Sequence, residues 1–578
     1  VNCRIFPAAS EQGHIRSHQT EVAWWYKVNP MKPKSHLKYF SVIALFTLVG
    51  ANLSAQVDTA WTRLFATDQW DEARAVTTDE ENNIYVAGWN YQWSVNYDYI
   101  FCKYSAQGEF QWSKTIDYAT GDQASHIVYD GLGNIYVAGF VNGSYSTTGG
   151  SICLMKYSVD GDSIWHFVDP NTFTAQVKGI SFDSQGNIIL AGFELGGGIS
   201  SEYVTMKIDP DGNQLWHNTF NNYGPNETNN IYSMCVNQND EIIVTGTCDD
   251  AINFYTDLVT IKYAPDGETV WLRQFNGPEN YYDSAASIRC DVNGNIIVAG
   301  TVSSQNPAQT DVVLLKYSDT GELLWDQYYD YAPAPQSFDY ATDLQLDENG
   351  NIYLVGSSSY SNAQATNRLL TAKFNSAGDT LWTRRWGPQG DKVPKQLLLD
   401  DGDNVYIGGY YYNDGGTGYD GIVLRYTANG SLVWEETYND GAMGEELFNA
   451  IALDGANDLI AVGRMHSPTT FDFLTVKYAN GVVGVVESQK KDVTGDMVRV
   501  YPNPCTASLS VMTAIPHSGD VIVMIMDAQG RRMMEQRFGG CSGFNRFEFD
   551  VKSLETGVYE LQLIAEGHLY QARFVKSE

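Results

Sequence analysis

Residues 133–139 read "GNIYVAG", and the chain keeps returning to that phrase. "GNIILAG" stands at 186–192, "GNIIVAG" at 294–300 and "GNIYLVG" at 350–356. Aligning the looser copies on the final glycine gives Gly88, Gly139, Gly192, Gly246, Gly300, Gly356, Gly409 and Gly463, spaced 51 to 56 residues apart. A near-constant period of this size means one supersecondary unit used many times, each covering its apolar face with the next. In one copy, "ASIRC", "NIIVAG", "VVLLKY" and "LLWDQYY" alternate apolar and polar residues, which is the period of half-buried strands. D-x-x-G-N and S-x-x-G separate them, with the turn residues that tight hairpins need. Four antiparallel strands per unit, repeated around an axis, predict a β-propeller.

The tryptophans set the number of units. Trp112, Trp165, Trp216, Trp271, Trp325, Trp382 and Trp434 each close a segment of the form K-Y-x-x-x-G-x-x-x-W, with Lys-Ile, Lys-Phe and Arg-Tyr opening three of them, whereas the eighth copy has Val485 at that place. "AWTRLF" around Trp61 matches "LWTRRW" around Trp382. The leading strand is therefore expected to complete the last sheet and close an eight-bladed ring over 56–485, which also removes exposed strand edges.

The repeated polar residues read as scaffold. The Lys-Tyr pairs (Lys103–Tyr104, Lys156–Tyr157, Lys316–Tyr317) and the aspartates five residues earlier (Asp98, Asp257, Asp311, Asp420, Asp472) recur from unit to unit. Catalysis needs one asymmetric cluster, so these are expected to form ion pairs and packing between blades. Asp79, Asp130, Asp183, Asp291, Asp347, Asp400 and Asp454 fit Asx turns. No D-x-D-x-D-G loop, CxxC pair or CxxCH haem site occurs, so neither a metal site nor a cofactor is expected.

With a formal net charge of −33, the chain repels phosphate backbones, which excludes nucleic acid as a partner. From Met31, basic residues, the apolar run Tyr39–Val49 and small residues up to Ala55 form a secretory signal pattern. Residues 31–55 are read as that signal, and residues 1–30 as an upstream segment outside the fold. Cys102, Cys153, Cys235, Cys248 and Cys290 fall on strands as buried small side chains. Cys505 and Cys541 share the C-terminal region and could pair in an oxidising compartment.

After a linker at 486–497 the repeat ends. Residues 498–578 hold "VRVYPNP", "VIVMIMDAQGRRM" and "GVYELQLIAEG", alternating segments that predict a small Ig-like β-sandwich.

The repeat pattern resembles the secreted bacterial propeller repeats of SBBP type over about 58–485. "KYSDTGELLW" is also similar to the tryptophan-docking motif of eight-bladed quinoproteins, though their adjacent-cysteine and haem motifs are missing. In sialidase boxes Gly and Trp are spaced differently from Gly321 and Trp325. The tail resembles the type A sorting domain of the type IX secretion system of Bacteroidota through Tyr501-Pro502-Asn503-Pro504, the Asp527–Gly530 turn, Gly557-Val558-Tyr559 and Phe574-Val575-Lys576. That resemblance implies passage through the periplasm, recognition by the outer-membrane machinery, and release or attachment at the cell surface.

Function is expected on the propeller face with the long, variable connections, because recognition is carried by loops on a rigid frame. Trp89, Trp93, Tyr97, Tyr145, Tyr223, Tyr281, Tyr331, Tyr411 and Tyr412 are the candidate binding residues, suited to a glycan or protein ligand of a monomer. The alternative is a polysaccharide-degrading enzyme using Asp71, Asp122, Asp283 and Asp339, which begin inner strands, as converging carboxylates.

Overall fold

The structure is a computed structural model. It describes residues 57–577 apart from 68, 93–95, 119–120, 144–149, 173, 196–200, 222–228, 250–254, 306–307, 332–336, 360–366, 388–390, 414–417, 440–443, 467–469, 483–497, 502–504, 528–530 and 566–567. The signal segment, the segment before it, the linker and Val485 lie outside the described residues.

All elements between 57 and 482 are strands. They form eight four-stranded antiparallel units, at 70–116, 121–168, 175–220, 229–275, 283–329, 338–386, 392–438 and 446–482. Three strands of the last unit come from 446–482, and Val57–Phe65 is its fourth. There Trp61 lies opposite Lys477 and Phe65 opposite Phe473. A single parallel bridge, Thr310 to Phe338, joins the fifth unit to the sixth. The inner strand of each unit packs on that of the next, and that of the first unit packs on the last. The first and last units also share one apolar core, with Ala73, Val86 and Ile100 against Ile460, Val462 and Phe473. The chain thus folds as an all-β propeller.

The repeated phrase has a steric cause. Every inner strand breaks register at the same place, for example between Ala73 and Ala75 or between Pro394 and Gln396. The bulge drives the carbonyl of Glu72 towards Gly88, where a Cβ would stand 2.0 Å from that oxygen. The final glycines of the other seven copies meet the corresponding carbonyl within 1.8 to 2.6 Å of a Cβ position. The glycine ending the phrase is thus the complement of the bulge on the strand beside it.

The tryptophans explain how units join. The Trp61 indole nitrogen donates to the Ala106 carbonyl at 3.2 Å, and Trp112, Trp165, Trp216, Trp271 and Trp382 make the same bond to the next unit. Each ring covers a turn glycine. At Gly108, with φ +78°, an added Cβ would stand 2.6 Å from the Trp61 ring. Trp61 therefore joins the last unit to the first by the contact that joins the others. Trp434 departs from the pattern. It is fully buried, and its indole nitrogen has no hydrogen-bond partner among the described residues. The eighth unit continues as the single strand Phe471–Val482 where other units turn.

The first-turn aspartates are Asx residues: Asp79 accepts from the backbone of Glu81 and Asn83 and from the Tyr85 hydroxyl. The expected blade-to-blade ion pair forms at Lys262, which pairs with Asp319 of the following unit, whereas other lysines of this column find their carboxylate inside their own unit. Lys207–Asp183 at 2.7 Å and Lys477–Asp454 at 2.6 Å lie within one unit. Contact with the following unit is made chiefly to carbonyls, as from Lys103 to Val159 and from Lys156 to Pro210. The aspartates five residues before the lysines stand at the other end of the strand, where Asp257 accepts from Gln274 and Asp420 from Asn439.

The cysteine reading also changes. Cys235 and Cys290 form a disulfide between the inner strands of the fourth and fifth units. Cys102, Cys153 and Cys248 are buried free thiols, as expected. Cys505 is also a buried free thiol, and the Cys541 side chain lies outside the described residues. Cys505 sits in the core of the tail, with its backbone bridged to Lys576 of the final strand.

The tail is a hydrogen-bonded network of five strands. A long hairpin, Ser508–Asp527 with Arg532–Asp550, breaks register between Ile515 and Val521. Before the break Val498–Tyr501 pairs with it, and after the break Gly557–Ala565 does. Both halves bury side chains in one cluster, including Leu509, Val523, Phe549 and Leu563.

Candidate functional site

The short hairpin turns lie at one end of every unit, and the connections carrying the expected ligand residues lie at the other. The second and third strands reach further into those connections than the sequence indicated. Trp89 lies in Ile84–Gln92, Tyr97 in Asn96–Tyr104, and Tyr411 and Tyr412 in Val405–Asn413. Aromatic residues favour the extended conformation, and cross-strand pairs such as Tyr91 with Tyr97 hold it.

Three aromatic groups form. Trp89 packs edge-on to Tyr97 at 5.1 Å, Tyr97 meets Tyr91 at 4.7 Å, and Tyr91 leads through Trp70 to Phe471 of the last unit. Tyr410 and Tyr412 both pack on Tyr419, at 5.1 and 5.6 Å. Tyr255, Tyr281 and Tyr282 form a third cluster, with centroids 4.6 to 4.9 Å apart. Tyr412 and Tyr282 keep 41% and 46% of their surface open. Tyr411 belongs to a different neighbourhood, against Trp386 and under the Lys392 ammonium. Tyr331 stacks on Tyr329, away from these groups. Trp93, Tyr145 and Tyr223 lie outside the described residues.

The four aspartates of the enzymatic alternative do not converge. Asp71 accepts from the backbone and hydroxyl of Thr67, and Asp122 from the amides of Tyr118 and Asn142. Asp283 accepts from Gly277, and Asp339 from Tyr331. Each is buried and fastens the connection entering its own unit. Burial, opposed by these hydrogen bonds, raises the Asp122 carboxyl to about 7 and that of Asp283 to about 6.

Two carboxylate trios were not legible in the sequence. Asp98, Asp117 and Asp122 bring oxygens within 4.8 Å of one another, as do Asp311, Asp330 and Asp339. Such a set has the donors for a hard cation. Its members come from a third strand, a connection and the next inner strand, so no linear motif announces it. A hollow of about 310 Å³ beside the second trio is lined by Pro278, Ser303, Gln309, Asp311 and Tyr328, and none of the candidate aromatic residues among the described residues lines it.

In the tail, Tyr501 ends the strand Val498–Tyr501, while Gly557 and Tyr559 open Gly557–Ala565. The Tyr559 hydroxyl donates to the Glu555 carbonyl at 2.8 Å, and its ring stacks on Phe574. Lys576 ends the last strand and is buried. Pro502, Asn503 and Pro504 lie outside the described residues.

The family of secretion-system C-terminal sorting domains matches residues 499–577. A WD repeat-containing protein of Acanthamoeba polyphaga mimivirus, L264, is 23% identical over 257 residues; the match covers 40% of this chain and 17% of the viral protein. Among solved structures, PorZ, a surface component of the type IX secretion system of Porphyromonas gingivalis, aligns over 87% of this chain and 74% of its own at 11% identity and TM-score 0.38. The polysaccharide lyase Uly1 aligns over 70% and 90% at 11% identity and TM-score 0.39. Likeness at that level carries no functional argument. The tail does carry one: this propeller ends in a sorting domain of the type IX secretion system, and its destination is the cell surface or the extracellular space.

Proposed function

We propose that the chain is an exported binding protein, a monomer whose propeller presents its long-connection face to a glycan or protein ligand outside the cell. The observation that carries this reading is the gathering of Trp89, Tyr97, Tyr412 and Tyr281 into aromatic groups at one end of the ring, with Tyr412 and Tyr282 open to solvent. Rigid aromatic faces give large contact area at small entropic cost, and they stack on sugar rings as readily as on peptide side chains. The depolymerase reading is not the one proposed, because its four aspartates are each engaged in fastening separate connections. Screening the purified chain against polysaccharides and surface proteins tests the proposal. A ligand bound by the native chain is expected to be lost, by tenfold or more, in Trp89→Ala and Tyr412→Ala at unchanged melting temperature. Equal binding by both variants overturns the assignment of this face.

A further inference from the structure

The bulged residue of each inner strand stands 14 positions before the glycine of the phrase. Around the ring this column reads Arg74, Ser125, Lys178, Tyr232, Ala286, Thr342, Lys395 and Asn449. Its three cations share one geometry. Arg74 lies 5.8 Å from the ring of Trp89, Lys178 5.4 Å from Phe193, and Lys395 5.3 Å from Tyr410. In each case the ring belongs to the residue directly after the phrase glycine. In the eighth unit that residue is Arg464, which pairs with Glu72 at 3.0 Å and Glu445 at 2.8 Å.

These residues occupy the seventh, eighth, first and third units, an arc of the inner wall at the long-connection end. Arg464 is balanced by two carboxylates, and Arg74 shares Glu72 with it at 3.2 Å. Lys178 and Lys395 have no carboxylate within salt-bridge distance among the described residues. The arc therefore holds four cations and two carboxylates in a chain of net charge −33. The field reaches further: burial, and after it the Arg74 charge, lower the ammonium pKa of both lysines, with the Glu72 carboxylate opposing this at Lys395, whose side chain remains open to solvent. Burial and the Lys178 charge bring His126 down to about 4. On the opposite arc the cation Arg289 is neutralised by Asp343 at 3.2 Å.

From this arrangement we infer that this arc of inner strands is an anion-binding site formed by Lys178, Lys395 and Arg74, and that its ligand is an acidic polysaccharide. Ammonium groups held over aromatic faces with no carboxylate in direct contact among the described residues recruit a carboxylate or sulfate, and the neighbouring rings stack on the sugar that bears it. The inference rests on the proposed binding function of this face and names the ligand class.

The test measures binding of the purified chain to polygalacturonate, dextran sulfate, neutral dextran and polyglutamate. Binding to polygalacturonate or dextran sulfate is expected, and the stronger of the two identifies the recognised acid. K178Q/K395Q is expected to weaken that binding tenfold or more and to flatten its salt dependence. K178R/K395R retains it, and K552Q, on the exposed tail, changes nothing. Unaltered binding by the double glutamine variant, equal binding of neutral dextran, or polyglutamate binding as tight as the glycan overturns the inference. If Trp89→Ala abolishes binding to another ligand while K178Q/K395Q does not, only the acidic-glycan assignment fails. If neither variant affects any ligand, the proposed function fails with it.

Discussion

The two ends of the propeller are built on opposite rules. At the short-turn end each unit repeats nearly the same contacts: an Asx aspartate, a lysine or arginine beside it, and a tryptophan seated on the next unit's glycine. At the long-connection end equivalent positions hold different chemistry: arginine, serine, lysine, tyrosine, alanine, threonine or asparagine at the bulge. Chemistry present in every unit stabilises the ring but cannot distinguish one direction around it from another. Chemistry confined to one arc can orient a ligand. The comparison thus separates residues that hold the fold from residues available for recognition, using geometry alone.

The sharpest way to break the comparison is to disrupt the repeated end. Lys477→Met leaves the buried Asp454 carboxylate without its cation and is expected to cost about 3 kcal/mol, read as a lowered urea midpoint. Gly108→Val forces a branched side chain into positive φ and against Trp61, for an expected loss of about 2–3 kcal/mol by the same measurement. At the variable end Asp122 gives a pH signature. Its carboxyl is raised from an ordinary value near 4 to about 7, so its contribution to stability is full below pH 4 and is lost as pH rises through 7. Melting curves at pH 5 and pH 8 should therefore separate more for the native chain than for Asp122→Asn. The smallest effect is expected at Tyr412. Its truncation to alanine should change stability by less than about 0.5 kcal/mol, because 41% of its surface is already open to solvent. A large loss there would mean that the variable end also supports the fold.

The repeat made the propeller legible because one steric problem, a bulge against a neighbouring strand, was solved eight times with the same glycine. The vacancy at Val485 and the orphan segment around Trp61 located the closing strand. Other features stayed hidden for physical reasons. The disulfide joins Cys235 and Cys290 on adjacent units, and each cysteine taken alone looks like an ordinary buried strand residue. The cation arc is a column of residues 14 positions before the phrase glycine, a pattern visible only when the units are stacked rather than read in series. Trp89 and Tyr412 were placed in loops because strand ends carry no stop signal where aromatic pairs prolong the ladder. Tyr281, Tyr331 and Tyr411 share a composition but not a neighbourhood, which composition cannot reveal.

Closure by the leading strand constrains the order of assembly. Glu72 and Arg464, which meet across the seam, are 392 residues apart in sequence, and the strand carrying Trp61 can dock only after Phe471–Val482 exists. Contacts of such separation form late, after the cost of closing a very long loop has been met. While the chain emerges, seven sheets can assemble locally, but the circle stays open with one bare edge at each extremity. Keeping those edges apart until the final sheet is complete is a requirement on whatever handles the polypeptide before it leaves the cell.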